Sequence, residues 1–191
     1  GVRSLGLFEV GRTYARLEGE PAVEKNWLGG TIMGSVWDGP WPRDKTPEAF
    51  AADFGYGKGV VEVLFERLQL EGELAFVAAE DCPGLHPGRT ARLRVGGRDL
   101  GYLGEVHPQA VAHYDLPVHQ PAIAWLIDLD AMAKLGCRDT RFAPFSRLPA
   151  MLRDMAVLVD AKLPVGDALS AIREAGGDML QHVGLFDHFE K

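Results

Sequence analysis

Thr90 to Val95 and Asp99 to Val106 are two runs of strand-forming residues joined by Gly96-Gly97. Consecutive glycines supply the positive φ angles of a tight two-residue turn, so this stretch predicts a β-hairpin. A hairpin commits its part of the chain to antiparallel pairing, and the rest of the sequence offers strands to extend it. Leu5 to Val10 reads as a short strand. Trp27 to Trp37 alternates apolar residues with Gly29, Gly30 and Gly34, the pattern of a strand that another backbone or side chain approaches closely. Leu74 to Ala79 and Ala122 to Asp128 read as further strands. Arg12 to Lys25, polar with Gly19 and Pro21, reads as a loop or hairpin tip, Asp38-Gly39-Pro40-Trp41-Pro42 breaks the second strand, and Asp81 to Arg89 reads as a loop rich in Pro and Gly.

Helical patterns fall between these strands. Thr46-Pro47-Glu48 has the layout of a helix start, with Thr46 as cap and Pro47 in the first position. After Lys58, Val60, Val61, Leu64, Phe65 and Leu68 recur at helical spacing, with Glu62, Glu66, Arg67 and Gln69 on the other face and Gly72 as the stop. His107-Pro108 opens a short helix to about Tyr114, and Asp128 or Asp130 caps one that runs through Leu135. Arg138 to Pro149 is interrupted by proline and marks a domain boundary, dividing 1–140 from 141–191. Beyond it the pattern is strand 154–159, helix 165–175 and strand 179–189. Val165, Ala168, Leu169 and Ile172 form the helix stripe and Gly176-Gly177 the stop. Strand, helix and strand of this length make one βαβ half of a ferredoxin-like sandwich. The fold class expected is therefore α+β. The chain opens directly on an apolar alternation and stops at Glu190-Lys191 immediately after a strand, so a longer parent protein is expected.

The chain has 191 residues, 47% hydrophobic and 25% charged, as a globular protein with a core would be. A net charge of -7 argues against a protein that is basic throughout and coats nucleic acid. Residues 1–140 hold 14 Lys/Arg and 20 Asp/Glu, whereas 141–191 hold 6 and 7, so the second segment can approach phosphates with little repulsion. Cys82 and Cys137 lie far apart without a Cys-x-x-Cys pairing. They allow a disulfide on paper but read as free thiols of a cytoplasmic protein. No apolar stretch approaches the roughly 20 residues of a membrane span, and the start lacks a signal-peptide layout.

Several polar groups invite a chemical reading. His86-Pro87-Gly88-Arg89 could present a base and an anion clamp. The simpler reading is a tight turn in which Gly88 supplies positive φ and Arg89 pairs with a carboxylate. Glu105 with His107 could be acid and base, or a hydrogen bond at a strand end. Cys82 with His86, and His107 with His113, have no metal-site spacing, and His119, His182 and His188 stand alone. Gly55-Tyr56-Gly57-Lys58-Gly59 precedes a helix and could cradle a phosphate, but no strand leads into it, so it reads as a packing turn. Arg147 and Arg153 flank the start of the strand at 154–159, and their planar forks suit phosphate contact. Asp187 and Phe189, two apart on the last strand, share a face. An acid can accept from base N–H groups, and a ring can stack on an unpaired base. The plain alternative is that Phe189 is core.

Five motifs, in order along the chain, resemble the β chain of bacterial phenylalanyl-tRNA synthetases. They are Leu7-Phe8-Glu9-Val10-Gly11; Asp53-Phe54 with Lys58-Gly59; His86-Pro87-Gly88-Arg89; and Gly101-Tyr102-Leu103-Gly104-Glu105-Val106-His107-Pro108. The fifth runs from Ser146-Arg147-Leu148-Pro149 through Arg153-Asp154 and an apolar run, answered by Leu185-Phe186-Asp187-His188-Phe189. The resemblance implies an inactive class II synthetase-like domain at 1–140, an antiparallel sheet with flanking helices. A truncated ferredoxin-fold anticodon-binding domain follows at 141–191. It implies no catalytic residue and no metal site here, because Trp125 to Met132 has no glycine and no ATP-stacking arginine, only Asp128 and Asp130. Carried over, the anticodon contacts are Asp187 and Phe189, with Ala156 near the same base; the family often has Tyr at Phe189. For the whole enzyme it implies ATP and Mg²⁺, an α subunit as partner in an α2β2 assembly, tRNA(Phe), a cytoplasmic location and no membrane. The rival reading is a stand-alone enzyme or interaction module built on His86, Arg89, Glu105 and His107.

Overall fold

The computed structural model describes residues 4–16, 21–36, 51–116, 120–139, 142 and 148–189. The expected strand end at Trp37, the break at 38–42, the helix start at Thr46, His119 and Arg147 lie outside them. The chain divides into two compact units, Gly1–Arg141 and Phe142–Lys191.

The first unit is built on one antiparallel sheet of six strands. These are β1 (Leu5–Ala15), β2 (Val23–Met33), β3 (Leu74–Ala78), β4 (Leu85–Val95), β5 (Arg98–Val106) and β6 (Ala122–Asp128), in the spatial order β1-β2-β6-β5-β4-β3. The chain lays down β1 and β2 as a hairpin and β3, β4 and β5 as a meander, and β6 enters between the two groups. Gly96 and Gly97 take φ of 56° and 79°, closing β4 onto β5 with the left-handed turn anticipated for them.

Alternation assigns the faces. Ile123, Trp125 and Ile127 of β6, Leu103 of β5, and Leu93 and Val95 of β4 form the buried face together with Leu100. Across this face lies α1 (Phe54–Arg67), which buries Gly57, Val61 and Phe65 at four-residue intervals. Ala131, Met132 and Leu135, in and just after α3 (Leu129–Met132), pack against the same cluster. Between β5 and β6 stands α2 (Pro108–His113), whose proline occupies the first helical positions.

Four local expectations are corrected. β1 runs on to Ala15 and β2 begins at Val23, so much of the expected 12–25 loop is strand. α1 starts at Phe54, capped by Asp53, whose Oδ1 accepts from the Tyr56 amide at 2.7 Å; the Gly55–Gly59 run is helix rather than a turn. Its helix ends at Arg67, and the chain turns at Gln69 (φ 52°), before Gly72. β4 begins at Leu85, so His86-Pro87-Gly88-Arg89 lies in a strand, and the irregularity needed to fit it is a register shift between Leu85 and Thr90. Gly88 is not among the positive-φ glycines. Proline lacks the donor that a regular ladder requires, and a bulge accommodates it.

In the second unit the helix forms as expected: α4 (Val165–Gly176), stopped where Gly177 reaches φ 52°, with a 3₁₀ turn at Gly177–Met179. Ala168, Leu169 and Ile172 of its stripe are half-buried, whereas Val165 is exposed. The expected strands at 154–159 and 179–189 do not form: neither stretch belongs to a hydrogen-bonded ladder. A strand is stable only when a neighbour takes up its N–H and C=O groups, and a split βαβ unit needs a further strand between its two parallel ones. Among the described residues of this unit there is none. Leu158, Leu152 and Phe189 are accordingly exposed rather than buried.

Candidate functional site

The expected anticodon contacts sit on the two non-helical stretches of the second unit. Ala156 and Arg153 lie on the one before α4, Asp187 and Phe189 on the one after it. Arg153 is exposed, and its guanidinium donates to the carbonyl of Leu152 at 3.2 Å. Asp187 Oδ1 accepts from the His188 amide at 2.8 Å. No hydrogen bond or ion pair joins these residues to one another among the described residues. Phe189 is 87% exposed and Phe186 78% exposed, so neither ring is core here and both present stacking faces. The second aromatic, Phe186, sits three residues from Phe189 and so falls off the two-residue period that puts Asp187 and Phe189 on one face.

In the first unit the geometry pairs two of the four polar residues of the rival reading and turns the other two, both histidines, to the backbone. Arg89 Nη1 and Glu105 Oε2 meet at 2.7 Å, as the turn reading anticipated for Arg89. The histidines serve the backbone. His86 Nδ1 accepts from the Gly88 amide at 3.1 Å, bracing the bulge, while Thr90 Oγ1 donates to the His86 carbonyl at 2.7 Å. His107 Nδ1 accepts from the Gln109 amide at 3.2 Å and so caps α2. Among the described residues no group of three or more His, Cys, Asp or Glu could hold a metal ion. Both cysteines are free, Cys82 buried and Cys137 exposed, and burial raises the Cys82 thiol above its ordinary pKa.

The acids at the end of β6 and the start of α3 are also engaged. Asp128 Oδ1 accepts from the Ala131 amide at 2.8 Å and caps α3, while its Oδ2 lies 3.3 Å from Lys25 Nζ. Asp130 accepts from both the amide and the side chain of Asn26, each at 2.9 Å. These bonds hold the Asp130 carboxyl below its usual range, the backbone bond having the largest effect. Here β6 meets α3 with two carboxylates tied into the fold, near Lys25 and Lys134. ATP phosphates would meet negative charge, so these residues do not fit that ligand.

A sheet of six antiparallel strands with α1 and α3 packed on one face, whose polar side chains brace loops and helix ends, defines an α+β domain. The chain belongs to the phenylalanyl-tRNA synthetase β chain family: the family model described as "Phenylalanyl tRNA synthetase beta chain CLM domain" matches residues 1–129. A second model, "Ferredoxin-fold anticodon binding domain", matches residues 146–191. Similar curated proteins carry the name phenylalanine–tRNA ligase beta subunit. The one from Moorella thermoacetica is 39% identical over 99% of this chain and 22% of its own length. That from Symbiobacterium thermophilum is 38% identical over 99% and 20%. That from Staphylococcus epidermidis is 34% identical over 96% and 22%. The chain thus spans about a fifth of the length of these relatives. Among the described residues no helix is long and apolar enough to cross a membrane.

Proposed function

We propose that this chain is the part of a phenylalanine–tRNA ligase β subunit that joins a non-catalytic, class II synthetase-like scaffold, residues 1–140, to the opening half of an anticodon-binding domain, residues 141–191. In this reading the whole enzyme attaches phenylalanine to tRNA(Phe) in the cytoplasm with ATP and Mg²⁺ as an α2β2 assembly. The reaction centre lies in the α subunit, and the first unit contributes scaffold and subunit interface. Asp128 and Asp130 support this division, since both are occupied in helix capping and strand bridging where ATP chemistry would need a cation.

The observation that carries the reading is the match of residues 146–191 to an anticodon-binding family, on a segment whose Phe189 ring stands free of any core. In the proposed complex Phe189 stacks on the first anticodon base and Asp187 accepts from its N–H groups. Ala156 leaves room beside that base. Arg153 contacts a phosphate, and Arg147, outside the described residues, is assigned the same role from its sequence position. The opening strands pair only when the rest of their sheet is present.

The test is aminoacylation by the full β subunit carrying this chain, assembled with its α partner. Asp187→Ala should lower charging of tRNA(Phe) and flatten its dependence on the first anticodon base. Unchanged charging and unchanged base dependence would remove Asp187 from the site.

A further inference from the structure

One cavity of about 580 Å³ in the first unit is used by nothing described so far. It lies where the start of α1, the first half of β4, the end of β5, α2 and the start of β6 converge, and its volume is in the range of ligand pockets, roughly 300–1,000 Å³. Its wall includes Phe54, Val106 and Val111, and its charged lining residues are Asp53, Arg89 and Glu105.

Each of these three charged groups is only partly engaged. Arg89 uses Nη1 for Glu105, which leaves Nε and Nη2 as donors. Glu105 uses Oε2 and leaves Oε1. Asp53 uses Oδ1 on the Tyr56 amide and leaves Oδ2. A simple anion entering here would be drawn to Arg89 but repelled by two carboxylates. A simple cation would meet the guanidinium. A small molecule that carries both charged groups on one carbon escapes both penalties: its carboxylate takes the remaining edge of Arg89, its ammonium takes the free oxygens of Glu105 and Asp53, and its body lies on the apolar wall.

We infer that this cavity is a binding site for a free α-amino acid with an apolar side chain. The inference concerns the first unit and does not use the anticodon reading. The pairing is charge-assisted on both ends, whereas the cavity is open to solvent, so an affinity on the order of millimolar is expected.

The experiment is an NMR titration of the isotope-labelled 191-residue chain with L-leucine, isocaproate and isoamylamine. The two analogues keep the apolar body and lack the ammonium and the carboxylate respectively. L-Leucine should give saturable shifts at the amides of Phe54 and Val106, with both analogues at least about tenfold weaker. Glu105→Gln should weaken leucine binding and narrow its advantage over isocaproate. Asp53→Asn, which keeps the helix cap because asparagine caps as well as aspartate, should do the same in smaller measure. It decides the matter if Glu105→Gln does not fold. The inference fails if leucine gives no saturable shift at these amides, if either analogue binds as tightly, or if the folded variants bind leucine as the parent does.

Discussion

Gly30 and Trp125 face each other across the β2–β6 ladder, and the indole fills the space that a Cβ at position 30 would need: that atom would lie 2.2 Å from Trp125 Cζ2. The glycine that the sequence marked as a point of close approach is therefore a seat for a buried tryptophan. Gly30→Ala must displace Trp125 from the core, and overpacking of this kind costs about 1–3 kcal/mol. The melting temperature should fall by about 2–4 °C per kcal/mol in a chain of this size. Gly29→Ala is the control. Its Cβ would meet only Leu126 Cδ1 at 3.6 Å, an ordinary contact, so its effect should stay within about 0.5 kcal/mol. Equal melting temperatures for the two variants would contradict the seat.

The glycines of α1 divide in the same way. A Cβ at Gly57 would lie 2.6 Å from Ile123 Cγ2 and 3.2 Å from Leu103 Cδ1, so this glycine lets the helix lie close on the sheet. Gly59 has nothing within 4 Å of its would-be Cβ. Gly59→Ala should stabilise the first unit by about 0.5–1 kcal/mol through helix propensity, while Gly57→Ala should destabilise it by about 1–3 kcal/mol. Denaturant unfolding of the two single variants checks the opposite signs.

These glycines also explain where sequence reading stopped short. The Asp53 cap was missed because three glycines in the next six residues resemble a loop, and only the sheet beneath α1 reveals that Gly57 is there for contact. The β4–β5 hairpin and β6 were legible because turn chemistry and alternation are local. His86-Pro87-Gly88-Arg89 was misplaced because a proline in a strand is tolerated at a bulge, which depends on the partner strand. The ion pair of Arg89 with Glu105 spans sixteen residues of sequence, and the cavity beside it draws on four separate stretches, so no local pattern announces it. At 154–159 and 179–189 the residues have strand propensity without a neighbour, and propensity alone does not make a ladder.

The Asn26–Asp130 bridge predicts a pH dependence. Asp130 in the folded chain has its carboxyl pKa lowered by the Asn26 amide and side-chain bonds, whereas in the unfolded chain it titrates near the ordinary value of about 3.9. A depressed folded pKa means that the contribution is fully present above the unfolded value. It declines as the pH falls below that value and is gone once the pH has passed the folded value. The stability difference between the parent chain and Asp130→Asn should therefore shrink as the pH is lowered from about 5 through the carboxylate range. Unfolding midpoints across that range measure it; a difference that stays constant or widens on acidification would show that Asp130 acts through its shape alone.

Phe189 and Asp187 make separable contributions in the proposed complex, because a ring stacks on any base while a carboxylate selects for donors. Phe189→Ala in the full β subunit, assembled with its α partner, should cost about 1–3 kcal/mol in tRNA recognition, the worth of one stacked base. Wild-type and anticodon-substituted tRNA should lose together. Phe189→Tyr keeps the ring, adds a hydroxyl and should be mild or favourable. Asp187→Ala should instead reduce the ratio between the two tRNAs, with a smaller loss of overall affinity. The measurement is kcat/KM for aminoacylation of both tRNAs by each variant. If both alanine variants charge the two tRNAs with the parent's rates and ratio, the exposed Phe189 ring has another purpose and the anticodon contact lies elsewhere on the domain.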